Sequence, residues 1–66
     1  LNNYLHDLLS HVLIIDDEEK LRGLLARIIS LEGYEVFQAG SCAAGLKALE
    51  SRTPDVVLCD VKLPDG

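Results

Sequence analysis

His11–Glu19 reads HVLIIDDEE, and its two halves obey different rules. The first five residues are β-branched or leucine after the opening histidine, apolar at consecutive rather than alternate positions. A short run of that kind fits a strand covered on both faces, which is the situation of strands in a parallel sheet. The four acidic residues that follow end the run abruptly. From Glu18 the apolar period changes. Leu21, Leu24, Leu25 and Ile28 fall at i, i+3, i+4 and i+7, which predicts a helix over Glu18–Leu31 with one apolar stripe. Asp17 is placed to cap its start, where acidic side chains also meet the positive end of the helix dipole. Gly33 suits the left-handed position just past its end.

The same alternation repeats downstream. Tyr34–Ala39 (YEVFQA) predicts a second strand. Ser41 is a candidate N-cap for a second helix, whose stripe is Cys42, Gly45, Leu46 and Leu49 and which runs to about Ser51. A glycine inside a helix costs about 1 kcal/mol relative to alanine, so Gly45 points to close packing of that helix on a sheet. Arg52–Asp55 (RTPD) is a turn, and VVLCD, Val56–Asp60, is another strand apolar on both faces. The order β-α-β-α-β implies an α/β fold, a parallel sheet with helices on its faces, joined by right-handed crossovers.

Composition bounds the rest. The chain has 66 residues, 48% hydrophobic and 26% charged, which is one small domain at most and too apolar for a disordered segment. No apolar run approaches the roughly 20 residues that span a bilayer, and the first ten residues lack the features of a secretion signal. A cytoplasmic location without membrane contact is expected. The net charge of −5 argues against direct nucleic-acid binding, which needs clustered Lys and Arg. The two cysteines, Cys42 and Cys59, have no metal-ligand spacing and read as reduced thiols. His6 and His11 read as ordinary residues. Residues 1–10 (LNNYLHDLLS) form a leader with Leu1, Tyr4, Leu5, Leu8 and Leu9 on one helical face, a possible short helix that needs a surface to pack on. With no Met at position 1, the sequence is expected to begin inside a longer gene product or to have been trimmed.

Ligands of parallel α/β sheets lie beyond the carboxyl ends of the strands. Asp16 and Asp17 follow the first strand and Asp60 ends the third, so neighbouring strands would gather three carboxylates at one rim. Unit charges 4 Å apart repel by about 4 kcal/mol at an effective dielectric near 20. Either protons or a hard divalent cation must offset that, and an all-oxygen donor set favours Mg²⁺. Helix capping alone would explain the DDEE run, but not an aspartate at the matching end of a second strand.

These acids, with the KLPDG that follows Asp60 (residues 62–66), resemble the first half of a response-regulator receiver domain of two-component signalling, over residues 11–66. The resemblance implies a flavodoxin-like, three-layer αβα fold, here the fragment β1-α1-β2-α2-β3 of a five-stranded sheet of order 2-1-3-4-5. It implies that Asp60 is the phosphoacceptor, that Asp17 binds Mg²⁺ directly and Asp16 mainly through water, and that the backbone carbonyl of Lys62 is a further ligand. Pro64 and Gly66 would shape the loop after Asp60. The implied partners are a sensor histidine kinase and a covalently linked output domain, such as a DNA-binding one. LPDG is similar to receivers attached to activators of alternative-sigma-factor transcription.

The family pattern continues with two more strands, a Ser or Thr ending the fourth and a Lys ending the fifth. Without them the 66 residues are expected to bind Mg²⁺ weakly and to hold little stable aspartyl phosphate. Strand three, central in the complete sheet, would be an apolar edge and a template for self-association. Two other readings compete with signalling. One is a structural half-domain with an inert acidic site. The other is a hydrolase with an aspartyl-phosphate intermediate, which is disfavoured because such enzymes place a second Asp two residues after the nucleophile, where this chain has Lys62.

Overall fold

Strand β1 (His11–Ile15) is the centre of the molecule, with β2 (Glu35–Ala39) and β3 (Val56–Cys59) paired to it in parallel on either side. Helix α1 (Glu19–Leu31) joins β1 to β2, and α2 (Cys42–Ser51) joins β2 to β3. The computed structural model describes residues 11–60. The leader, Lys62 and the loop containing Pro64 and Gly66 lie outside the described residues.

The sheet order β2-β1-β3 is that of a flavodoxin-like fold. The first crossover moves the chain one strand to one side, and the second carries it back past β1. Keeping one hand for both crossovers then places the helices on opposite faces. Two apolar layers result. Leu13, Ile15 and Ala39 pack with Phe37, Cys42 and Ala48 beneath α2. Val12, Ile14 and Ala26 pack with Leu25, Ile29, Tyr34, Val36 and Val56 beneath α1. This explains the consecutive apolar residues of β1: alternate side chains enter different cores, and Val12 to Ile15 are all buried. Each fully buried leucine or isoleucine, such as Leu13 and Ile14, contributes about 1.5–3 kcal/mol.

The helix ends follow the sequence with one correction. Ser41 caps α2, its hydroxyl accepting from the Ala44 amide at 3.1 Å. Gly33 has φ 99°, and its amide donates to the Ser30 carbonyl at 3.0 Å, closing α1. Asp17, however, does not cap α1. The helix begins one residue later than expected, with Glu18 at the N-cap making no side-chain bond, while Asp16 Oδ1 accepts from the Glu18 amide at 2.9 Å. The buried residue at the strand end thus performs the local turn and leaves Asp17 exposed.

The apolar stripe of α1 also differs from expectation. The sheet-facing residues are Leu25, Ala26 and Ile29, whereas Leu21, Leu24 and Ile28 are 42%, 55% and 51% exposed. The helix carries two adjoining apolar sectors. It lies over β2 and β1, so only the sector turned toward those strands is covered. In α2 the close contact is made by Gly45 and Ala48, and Leu46 points outward. A Cβ built at Gly45 would fall 3.0 Å from Ile15 Cγ1 and closer still to Cδ1, which accounts for glycine there. Strand β3 is an edge of the described sheet: Val56 packs beneath α1, while Val57 and Leu58 are exposed.

Candidate functional site

Register decides where the acidic residues meet. Ile15 pairs with Ala39 on one side and Cys59 on the other, so all three strands end level. The ladder then extends by one step each way: the Asp16 amide donates to the Ala39 carbonyl at 3.0 Å, and the Asp60 amide donates to the Ile15 carbonyl at 2.9 Å. Asp16 and Asp60 are thereby set side by side at the carboxyl rim, and Asp17 follows directly. One carboxylate oxygen from each of Asp16, Asp17 and Asp60 lies within 4.8 Å of the others. Asp16 is buried, Asp60 half-buried and Asp17 exposed.

Three such charges repel one another. At 4–5 Å and an effective dielectric near 20 each full pair costs about 3–4 kcal/mol, less where solvent screens Asp17. The donors are all carboxylate oxygens, with no thiol or imidazole in the cluster. That set fits a small hard cation that takes a few protein oxygens and retains water. One Asp16 oxygen accepts from the Glu18 amide, and Asp17 and Asp60 are the more exposed of the three. Beside the carboxylates runs a groove of about 400 Å³ between α1 and β3, lined by Ile14, Leu21, Leu25 and Leu58.

The sequence-derived acidic trio is therefore brought together, while Lys62 lies outside the described residues. His11 is at the opposite end of β1. Its imidazole stands 3.4 Å from both Glu35 and Asp55 and stacks on Phe37, as part of the packing of the strand starts. Arg52 lies over the Phe37 ring as well, 4.7 Å from its centroid, and pairs with Glu35. No disulfide joins Cys42 and Cys59.

Two residues at the rim escaped the sequence reading. Arg22 donates from Nη1 to the Asp16 carbonyl at 2.8 Å and from Nε to Gln38 Oε1 at 3.1 Å. A signal for it existed: residues 22, 25, 26 and 29 fall at i, i+3, i+4 and i+7, so an arginine occupies the sheet-facing sector of α1. A charge on that sector requires a polar partner.

Comparison with known proteins agrees with this geometry. The profile described as "Response regulator receiver domain" matches residues 12–66. The KDP operon transcriptional regulatory protein KdpE of Escherichia coli (strain K12) is 36% identical over 58 residues, covering 88% of this chain and 26% of that protein. Sporulation initiation phosphotransferase F of Bacillus subtilis (strain 168) is 40% identical over 53 residues, covering 80% of this chain and 43% of that protein. A crystal structure of a response regulator receiver domain protein from Clostridium thermocellum superposes with a TM-score of 0.78 at 33% identity, covering 85% of this chain and 46% of that one. The chain thus spans less than half the length of these relatives. Among the described residues no helix is long and apolar enough to cross a membrane. With level strand ends, a rim of three aspartates and a family profile over nearly all of its length, the chain belongs to the receiver domains of two-component response regulators.

Proposed function

We propose that this chain is the phosphoacceptor part of a receiver, in which Asp60 takes a phosphoryl group from the phosphohistidine of a sensor kinase and so controls a linked output domain. The observation that carries the reading is the meeting of Asp16, Asp17 and Asp60 within 4.8 Å at the end of two neighbouring strands. In the transfer, an Asp60 carboxylate oxygen forms the new bond to phosphorus as the phosphorus–nitrogen bond breaks, the electron pair remaining on the imidazole nitrogen. Asp60 must be ionised to attack, and the strand end holds it at the carboxyl rim beside Asp16 and Asp17.

Mg²⁺ is the cation the donor set fits, held by Asp16, Asp17 and Asp60 with the Lys62 carbonyl as a further oxygen. When bound it offsets the negative charge of both the site and the incoming phosphoryl group. The chain's own residues do the positioning: the Asp60 amide donates a hydrogen bond to the Ile15 carbonyl, the Asp16 amide donates to the Ala39 carbonyl, and the Asp16 carboxylate accepts from the Glu18 amide.

Treatment of the 66-residue chain with acetyl phosphate and Mg²⁺, followed at once by borohydride, converts an aspartyl phosphate into homoserine before it hydrolyses. Peptide mass analysis should find homoserine at position 60, with none in Asp60→Asn. Homoserine at another residue, or an equal amount in Asp60→Asn, would sink the assignment.

A further inference from the structure

The guanidinium of Arg22 ties together the ends of two strands beside the acidic trio. Its Nη1 donates to the backbone carbonyl of Asp16, at the end of β1, and its Nε donates to the side chain of Gln38, on β2. At Gly40, just past β2, an added Cβ would stand 3.2 Å from Arg22 Nη1. Asp16 is 6% exposed, and its carbonyl lies just past the end of β1, in the peptide that leads into Asp17. Holding that carbonyl fixes the peptide that orients Asp17.

We infer that Arg22 is a positioning residue of the cation site, a two-pronged brace, with Gln38 as its second anchor and Gly40 as its clearance, that sets the Asp16–Asp17 peptide for metal binding. The inference rests on the Mg²⁺ reading above and goes beyond it by assigning a role to residues that touch neither metal nor phosphoryl group. The planar fork is essential to it. A lysine ammonium is a point charge on a flexible stem and cannot reproduce the two fixed N–H directions. Charge and geometry also predict opposite signs. As a cation near a cation site, Arg22 weakens Mg²⁺ binding through electrostatics alone, so its neutralisation would tighten binding. As a brace it preorganises the site, so its removal loosens binding. Outer partners that orient metal-binding groups are typically worth about 10–100-fold in affinity.

The test is a Mg²⁺ titration of the full 66-residue chain, followed by ¹H–¹⁵N amide shifts, which report folding and affinity together. Arg22→Lys and Arg22→Gln should each bind Mg²⁺ about tenfold more weakly than wild type. Gln38→Leu, at an exposed strand position, should weaken it in the same direction by less. Ile29→Val, which trims the α1 core away from the rim, controls for stability: it should lower the melting midpoint and leave the affinity unchanged. Wild-type affinity in Arg22→Lys, or tighter binding in Arg22→Gln, overturns the brace while leaving the Mg²⁺ reading intact. An affinity loss in Ile29→Val equal to that of the Arg22 variants overturns it as well, since general loosening would then suffice. Absence of Mg²⁺ binding in the wild-type chain overturns the Mg²⁺ reading and the brace with it.

Discussion

Alanine in place of Gly23 and alanine in place of Gly45 should move stability in opposite directions, although both glycines are interior to helices. At Gly23, on the exposed side of α1, nothing lies within 4 Å of a built Cβ. The substitution there gains only helix propensity, about 0.8–1 kcal/mol. At Gly45 the same gain is opposed by Ile15, whose Cγ1 would stand 3.0 Å from the new methyl and whose Cδ1 would be nearer. Ile15 is 7% exposed and sits between Ala39 and Cys59 in the sheet, so it has little room to turn away. Overpacking of this kind costs about 1–3 kcal/mol, leaving Gly45→Ala destabilised by about 1 kcal/mol net. The two variants should differ by about 2 kcal/mol, which for a domain of this size is about 8–16 °C in melting midpoint. Far-UV circular dichroism melts, with urea titrations at fixed temperature, measure both. Ile15→Val, costing about 0.5–1.5 kcal/mol alone by removing Cδ1, should make the added alanine at 45 less harmful than it is in wild type. A Gly45→Ala chain that melts as high as Gly23→Ala would refute the close packing of α2 on β1.

Three further expectations follow from other contacts. Ser41→Ala removes the acceptor for the Ala44 amide and should cost about 1 kcal/mol in urea unfolding, with Ser41→Asp restoring most of it. Asp17→Asn relieves repulsion among the rim carboxylates, so in EDTA it should stabilise the chain by about 1 kcal/mol after solvent screening, yet abolish the rise in melting midpoint that Mg²⁺ gives wild type; a lower midpoint in EDTA would contradict the crowding. Leu58→Lys places a charge on the exposed β3 edge, and sedimentation at rising concentration should show less self-association than wild type; an unchanged mass distribution would remove that edge from the contact.

The alternation of elements was legible because each is written in its own period. Consecutive apolar residues in HVLII and VVLC mark strands, and the i, i+3, i+4 spacing marks the helices between them. The caps at Ser41 and Gly33 were legible as well, because each depends on local chemistry alone. So was the expectation that Asp16, Asp17 and Asp60 converge, since it needs only parallel strands that end level.

What a one-dimensional pattern cannot supply is the choice between surfaces that look alike to it. Helix α1 is apolar over two adjoining sectors, and the stripe Leu21, Leu24, Leu25 and Ile28 was as good a core face on paper as Leu25, Ala26 and Ile29. Only the placement of the helix over β1 and β2 selects the second. That same rotation turns Arg22 inward to the Asp16 carbonyl and Gln38. Periodicity and turn chemistry act between near neighbours in the chain and so can be read from it. The facing of a helix and the partner of a buried charge are set by residues distant in sequence, and they exist only once the layers have packed.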